Sequence, residues 1–299
     1  MRTALKDKLI ALAATSPDRS LPQLQRQFAY DRLLARLFTA ADADAWVLKG
    51  AGALLARLHT ARHSVDIDLY RRRGDLTAAE EALRQAARSD LGDYFTFDVG
   101  VARTLQQAGA VRRIPVVTRL GLGEYARFHV DLVAGITMTG EPDHAPPMVD
   151  IDVPGLVQPG YRVYPLADHI ADKVAAIHET HARADGVRAQ STRVKDLVDL
   201  VLIATTQSID ATDLHTAVRS ETTRRGLTLP LTVTIPDAPI WTIAYRKLAA
   251  DSAGLADQPV LSTAVELVRA FIDPILNGEA DGVWSPARCA WDRLAAPGG

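Results

Sequence analysis

Apolar and polar residues change rhythm twice along this chain. In residues 3–14 and 21–41 the apolar side chains recur at helical spacing. Leu24, Phe28, Leu33, Leu34 and Leu37 would share a stripe, and Pro22 stands where a first-turn proline is tolerated. Residues 45–48 read as a short apolar strand, broken by Gly50 and Gly52 before "ALLARLH" restarts as a helix. The stretch "SVDIDLY" (64–70) then alternates, with Val65, Ile67 and Leu69 on one face and Asp66, Asp68 and Tyr70 on the other. A helix is expected over 77–88, with Thr77 as the N-cap of a "TAAE" capping box.

"YFTFDVGVA" (94–102), "RRIPVVTRL" (112–120) and "ARFHVDLVAG" (126–135) are strand-like and separated by glycine-containing turns, which predicts antiparallel pairing. Residues 136–160 hold five prolines and three glycines and read as a loop or boundary. From Pro165 the texture is helical. Leu166, Ile170, Val174 and Ile177 share one stripe, and Leu197, Leu200, Val201 and Ala204 another. Further helices are expected over 210–225, 240–250 and 257–272. The predicted fold is α+β. Residues 1–160 form an α/β domain with N-terminal helices, and residues 161–299 a mainly helical one.

Composition narrows this picture. The 299 residues are 47% apolar and 23% charged, the profile of a soluble globular protein. With 34 basic and 36 acidic side chains the formal charge is −2, so no global basic excess points to nucleic acid. A lone cysteine, Cys289, excludes an intrachain disulfide and favours a cytoplasmic home. Lys6, Asp7 and Lys8 interrupt the apolar N-terminal segment, and no stretch reaches the roughly 18 apolar residues of a membrane span.

The candidate chemistry begins with Asp66 and Asp68. Period two puts both carboxylates on one strand face, about 7 Å apart. Like charges that close raise a pKa or call for a cation, and Mg²⁺ takes hard oxygen ligands. A solvated polar face is the plainer alternative. Gly50-Ala51-Gly52, in strand–glycine–helix order, would let backbone N–H groups approach a phosphate, although an ordinary tight turn has the same residues. Ser64 adds a hydroxyl for a phosphate or for a strand-edge hydrogen bond. Asp131, in "FHVDLV", is a third carboxylate that a neighbouring strand would bring alongside.

In the helical half, Lys173 would reach a triphosphate as a point charge, with Asp196 orienting it or acting as a base. Lys195 and Asp199 are spaced for an i,i+4 ion pair. His178 and His181 of "HETH" lack the H-E-x-x-H spacing and read as a solvated helix face. Arg71, Arg72 and Arg73, with Arg62, Arg112 and Arg113, form a candidate cradle for RNA or nucleotide phosphates, or a solvated turn.

Taken together, "VLKGAGALLARLH…RHSVDIDLY" and "DKVAAIHETHARADG…RVKDLVDL" resemble the AbiEii/AbiGii-type nucleotidyltransferase toxins, which include the mycobacterial MenT toxins and belong to the polymerase-β-like superfamily. The family's first block reads like "LKGGTAL" followed by "S-x-D-(I/L)-D-(L/F)"; Ala51 and Gly52 depart from it here. The resemblance spans about residues 46–204. It implies a polymerase-β-like nucleotidyltransferase domain. Asp66 and Asp68 would hold Mg²⁺ (or Mn²⁺), with Asp131 as the further carboxylate. Lys49, Gly50, Ser64, Asp68 and Lys173 would meet the NTP. Asp66, Lys173 and Asp196 would serve catalysis, Ser64 would also be a position for regulatory phosphorylation, and Arg71, Arg72 and Arg73 would meet RNA. The implied reaction moves a nucleoside monophosphate from an NTP to the 3′ end of tRNA. A cognate antitoxin is the implied protein partner; neither DNA nor a membrane is expected. The same chemistry on a protein or small-molecule hydroxyl, or a non-enzymatic binding module, are the competing readings.

Overall fold

The computed structural model describes residues 2–16, 19–107, 109–179, 191–236, 239–255 and 257–292. The chain divides into two compact units: residues 1–137 with 142–164, and residues 138–141 with 165–299.

The first unit opens with α1 (Arg2–Thr15) and α2 (Leu21–Phe38). At the start of α2 the Gln23 side chain accepts the Ser20 backbone N–H at 2.7 Å, which closes the first turn. Leu24, Phe28, Leu33, Leu34 and Leu37 are buried, as their spacing predicts. Three charged residues of α2 are buried as well, Asp31, Arg32 and Arg36, and Arg32 lies 3.5 Å from Asp93. Asp31 accepts the Met148 and Val149 N–H groups at 3.1 and 2.8 Å and the Tyr161 hydroxyl at 2.5 Å. Arg36 forks onto Asp93 at 3.0 and 2.8 Å. Each is buried with partners, the condition under which an ionisable group is tolerated inside.

Strand β1 (Trp46–Lys49) runs directly into α3 (Gly50–Arg57), followed by β2 (Asp66–Arg71) and α4 (Leu76–Ala87). The N-cap of α4 is Asp75, whose carboxylate accepts the Ala78 N–H at 2.9 Å, two residues before the expected Thr77. Thr77 instead accepts a hydrogen bond from Arg112 at 3.0 Å. Then come β3 (Phe95–Val99), β4 (Arg103–Gln107), β5 (Gly109–Leu120) and β6 (Gly123–Ala134). Two short strands, β7 (Asp143–Ala145) and β8 (Tyr161–Val163), complete the sheet. β7 falls in the proline-rich stretch expected to be loop.

The strand order is β3-β5-β6-β2-β1-β8-β7, with β4 also on β5. The β5–β6 hairpin and the β3–β5, β4–β5 and β1–β2 pairs are antiparallel. β2 and β6 are parallel, so the sheet is mixed and largely antiparallel. One of its faces is core. Ile67, Leu69, Ile114, Val116, Phe128, Val130 and Leu132 are all buried. On the opposite face Asp66, Asp68, Arg113, Pro115, His129 and Asp131 are partly or fully exposed, while Tyr70 at the end of β2 is buried.

The second unit holds α5 (Leu166–His178), α6 (Val194–Thr206), α7 (Ala211–Arg225), α8 (Pro239–Ala250) and α9 (Leu261–Leu276). It closes with a hairpin, β9 (Val283–Ser285) and β10 (Ala290–Asp292), that no periodicity had suggested. Trp284 anchors the hairpin by donating its indole N–H to the Ala204 carbonyl at 2.8 Å. Residues 138–141 belong to this unit because the Asp168 carboxylate accepts the Thr139 N–H and hydroxyl, each at 3.0 Å.

Candidate active site

Strand β2 is where core and chemistry separate. Its even positions present Asp66 and Asp68 to the open face, while Ile67 and Leu69 pack into the core. Register then brings further charges alongside. Lys49 of β1 faces Asp68, Asp68 faces Asp131 of β6, and Asp131 faces Arg113 of β5. Residues directly opposite in a ladder point to the same side. Four neighbouring strands therefore carry a transverse row: cation, carboxylate, carboxylate, cation. One step along β2, Asp66 faces His129, whose Nδ1 lies 3.3 Å from Asp66 Oδ1.

Arg113 closes the row. Its Nε and Nη2 donate to the two oxygens of Asp131 at 2.8 and 2.6 Å, and Nη2 lies 3.5 Å from Asp66 Oδ2. The hydrogen bonds to Asp131, with the charges of Asp66 and Asp68, raise the guanidinium well above its ordinary pKa. The Arg113 side chain is 39% exposed, Asp66 24% and Asp131 15%.

At the other end of the row, Lys49 is buried with its ammonium 4.0 Å above the Tyr164 ring. Gly50 follows with φ +59°, a conformation that L side chains rarely adopt, and a methyl added there would stand 2.0 Å from Asp68 Oδ2. The strand-to-helix turn thus packs bare backbone against the Asp68 carboxylate, and α3 starts at that point. Gly52 is less constrained; an added methyl would meet Leu48 and Met148 at 3.4 Å. Ser64 donates its hydroxyl to the Asp66 carbonyl at 2.6 Å and fixes the entry into β2.

The helical unit has a second charge cluster. The Lys173 ammonium lies 2.5 Å from Asp199 and 3.2 Å from Asp196, bridging α5 and α6. Lys173 is 6% exposed and Asp199 0%. Asp199 is therefore the partner of Lys173, not of Lys195 as its i,i+4 spacing suggested. Lys195 is exposed, and Asp199 lies on the buried stripe of α6.

The arginines disperse. Arg71 pairs with Asp42 at 2.7 Å and Arg73 with Asp44 at 2.5 Å, so two of the expected RNA contacts have carboxylate partners within the chain. Arg112 pairs with Glu80 at 2.6 Å. Being consecutive on a strand, Arg112 and Arg113 face opposite sides, a separation that period two alone could have foretold. His178 is no solvated face residue. Its Nδ1 lies 2.8 Å from the Val174 carbonyl, its Nε2 accepts the Thr234 N–H at 3.2 Å, and burial lowers its pKa. His181 lies outside the described residues.

Among the described residues, no group of three or more His, Cys, Asp or Glu side chains is placed to hold a metal ion. The reason is visible in the row: Asp66 leans to His129 and Arg113, while Asp68 packs on Gly50. The donor set nevertheless suits a hard cation of the Mg²⁺ type. Such an ion needs only one or two carboxylates and completes its shell with water and substrate phosphates.

The nucleotidyl transferase AbiEii toxin family, of type IV toxin–antitoxin systems, matches residues 32–284, and the chain belongs to that family. Its partners are accordingly a nucleotide and an antitoxin. Among solved structures it is similar to MenT4, a nucleotidyltransferase toxin from Mycobacterium tuberculosis. The two are 19% identical with a TM-score of 0.51, covering 92% of this chain and 98% of that one. It is also similar to JHP933 from Helicobacter pylori, at 14% identity and a TM-score of 0.46, covering 87% and 94%. No curated protein sequence matches the chain. Among the described residues, no helix is long and apolar enough to cross a membrane.

Proposed function

We propose that this toxin transfers a nucleoside monophosphate from an NTP to the 3′ end of tRNA, with Mg²⁺ (or Mn²⁺) at Asp66 and Asp68, and so blocks translation in the cytoplasm. The observation that carries the reading is the transverse row of Lys49, Asp68, Asp131 and Arg113 on the open sheet face, with Asp66 one step along and the glycine-opened start of α3 beside it.

Asp66 and Asp68 would hold a divalent cation, which would supply positive charge to offset the phosphates. The chain's own residues do the rest. Gly50 would let backbone come close to the phosphates, and Lys49 would offset their charge. Asp131 orients Arg113. The family resemblance assigns Lys173, held in place by Asp199 and Asp196, a role with the NTP. The acceptor hydroxyl oxygen bonds to the α-phosphorus as the bond to the β-phosphate oxygen breaks. Pyrophosphate departs, and the hydroxyl proton passes to water on the open face. Ser64 sets where β2 begins, so a phosphate on its hydroxyl would break the hydrogen bond to Asp66 and add negative charge beside the carboxylates, which favours an inhibitory modification.

Incubation with each α-labelled NTP and total tRNA tests the proposal. Label on the tRNA 3′ end that disappears with EDTA is the expected result. Label confined to protein or to a small alcohol would overturn the tRNA assignment.

A further inference from the structure

One side chain of the molecule already does part of what a metal would do in the carboxylate row. Arg113 takes both oxygens of Asp131 at 2.8 and 2.6 Å and reaches Asp66 Oδ2 at 3.5 Å. His129 stands 3.3 Å from the other Asp66 oxygen. A divalent cation bridging Asp66 to its neighbours would draw on the same lone pairs. A planar guanidinium with a bidentate grip is the side chain best suited to hold them.

Position argues against a purely structural pair. Arg113 lies on the open face, 39% exposed, on the side of β5 opposite the buried Ile114 and Val116. Exposed ion pairs add little to stability. What such a pair does change is the charge felt by anything binding next to it.

We infer that Arg113 is an internal counter-cation that competes with the divalent metal for Asp66 and Asp131, and that it holds down the metal affinity of the site. Asp131 then acts as the positioning residue for Arg113 and not as an equal third ligand. The inference rests on the proposed metal role of Asp66 and Asp68.

The test is Mn²⁺ binding to the full chain without nucleotide, read from the electron paramagnetic resonance of free Mn²⁺. Arg113→Gln should bind Mn²⁺ roughly tenfold more tightly than the wild type, the effect of removing one close charge. Arg113→Lys, which keeps the charge and loses the fork, should fall between them and covers the case in which the glutamine variant does not fold. Mn²⁺ should also raise the thermal midpoint of Arg113→Gln more than that of the wild type. Equal or weaker Mn²⁺ binding in folded variants would overturn the role of Arg113 and leave the metal site standing. Absence of Mn²⁺ binding in every protein, wild type included, would overturn both.

Discussion

Two clusters in this molecule use the same ingredients, aspartates and a long cation, in opposite surroundings. In the sheet unit, Asp66, Asp68, Asp131 and Arg113 share a partly open face. In the helical unit, Lys173 is enclosed by Asp199 and Asp196 across two helices. The difference lies in what removal of one member leaves behind. A buried carboxylate without its partner is strongly destabilising, whereas a part-exposed one is hydrated. The open cluster can keep its charges for a ligand. The enclosed one holds its helices together whatever else it does.

The largest effect that would sharpen this contrast belongs to Asp66. Asp66→Asn should lower nucleotidyl transfer by at least about a thousandfold. Its unfolding free energy should change by less than about 1 kcal/mol, because the pair with Arg113 is part-exposed. Labelled-NTP assays beside urea melts check both; a loss of activity that tracks unfolding would erase the distinction.

Lys173→Ala should behave in reverse, losing about 3–5 kcal/mol of stability by stranding the charge of Asp199. Were it to melt like the wild type, the enclosed cluster would not be structural.

A third measurement compares carboxylates through pH. Burial pushes the Asp31 carboxyl up from its ordinary 3.8 to about 6, against hydrogen bonds from Tyr161, Val149 and Met148. The native state therefore binds that proton more tightly than the unfolded chain. The resulting stability, about 3 kcal/mol, is fully present below pH 3.8 and is lost as pH rises through about 6. Asp31→Asn removes this titration, so its pH–stability curve should be flatter than that of the wild type and the two should diverge across this window. Parallel curves would show that Asp31 ionises as freely as a surface group.

The smallest effect is steric. Gly50→Ala forces a methyl into the Asp68 carboxylate at a left-handed position. It should cost about 1–2 kcal/mol in stability and roughly a hundredfold in transfer, by displacing the Asp68 carboxylate. Full activity would mean that the strand-to-helix turn tolerates a different path.

How much of this was legible along the chain follows from which forces are local. The alternation of "SVDIDLY" and the stripes of α2, α5 and α6 are local, and they predicted the burial of Ile67, Leu69 and most of the helical stripes; Val65, which precedes β2, is 58% exposed instead, and Tyr70 is buried with its hydroxyl donating to the Ile136 carbonyl. The N-cap of α4 was displaced by two residues because Asp75 and Thr77 are both competent caps, and Arg112 claims the threonine. Short strands such as β7 and β8 carry three residues each, too few to show a period. The carboxylate row was legible only in part. Asp66 and Asp68 share a face by period alone. That Asp131 faces Asp68, and Arg113 faces Asp131, depends on β2, β5 and β6 meeting in one register. Helical spacing, visible in sequence, pairs Asp199 with Lys195, while the α5–α6 contact that gives it Lys173 is not visible there.

The alternation of β2 has a consequence for how the molecule assembles. Ile67 and Leu69 face inward because Asp66 and Asp68 face outward, and one residue of slippage against β1 or β6 would exchange the two sets. Such a slip would drive two carboxylates into the hydrophobic layer and expose two of its apolar members. Misaligned sheets are therefore too unstable to persist. The arrangement that survives folding is the one with its chemistry in place, so the toxin's hydrophobic core proofreads its own reactive surface.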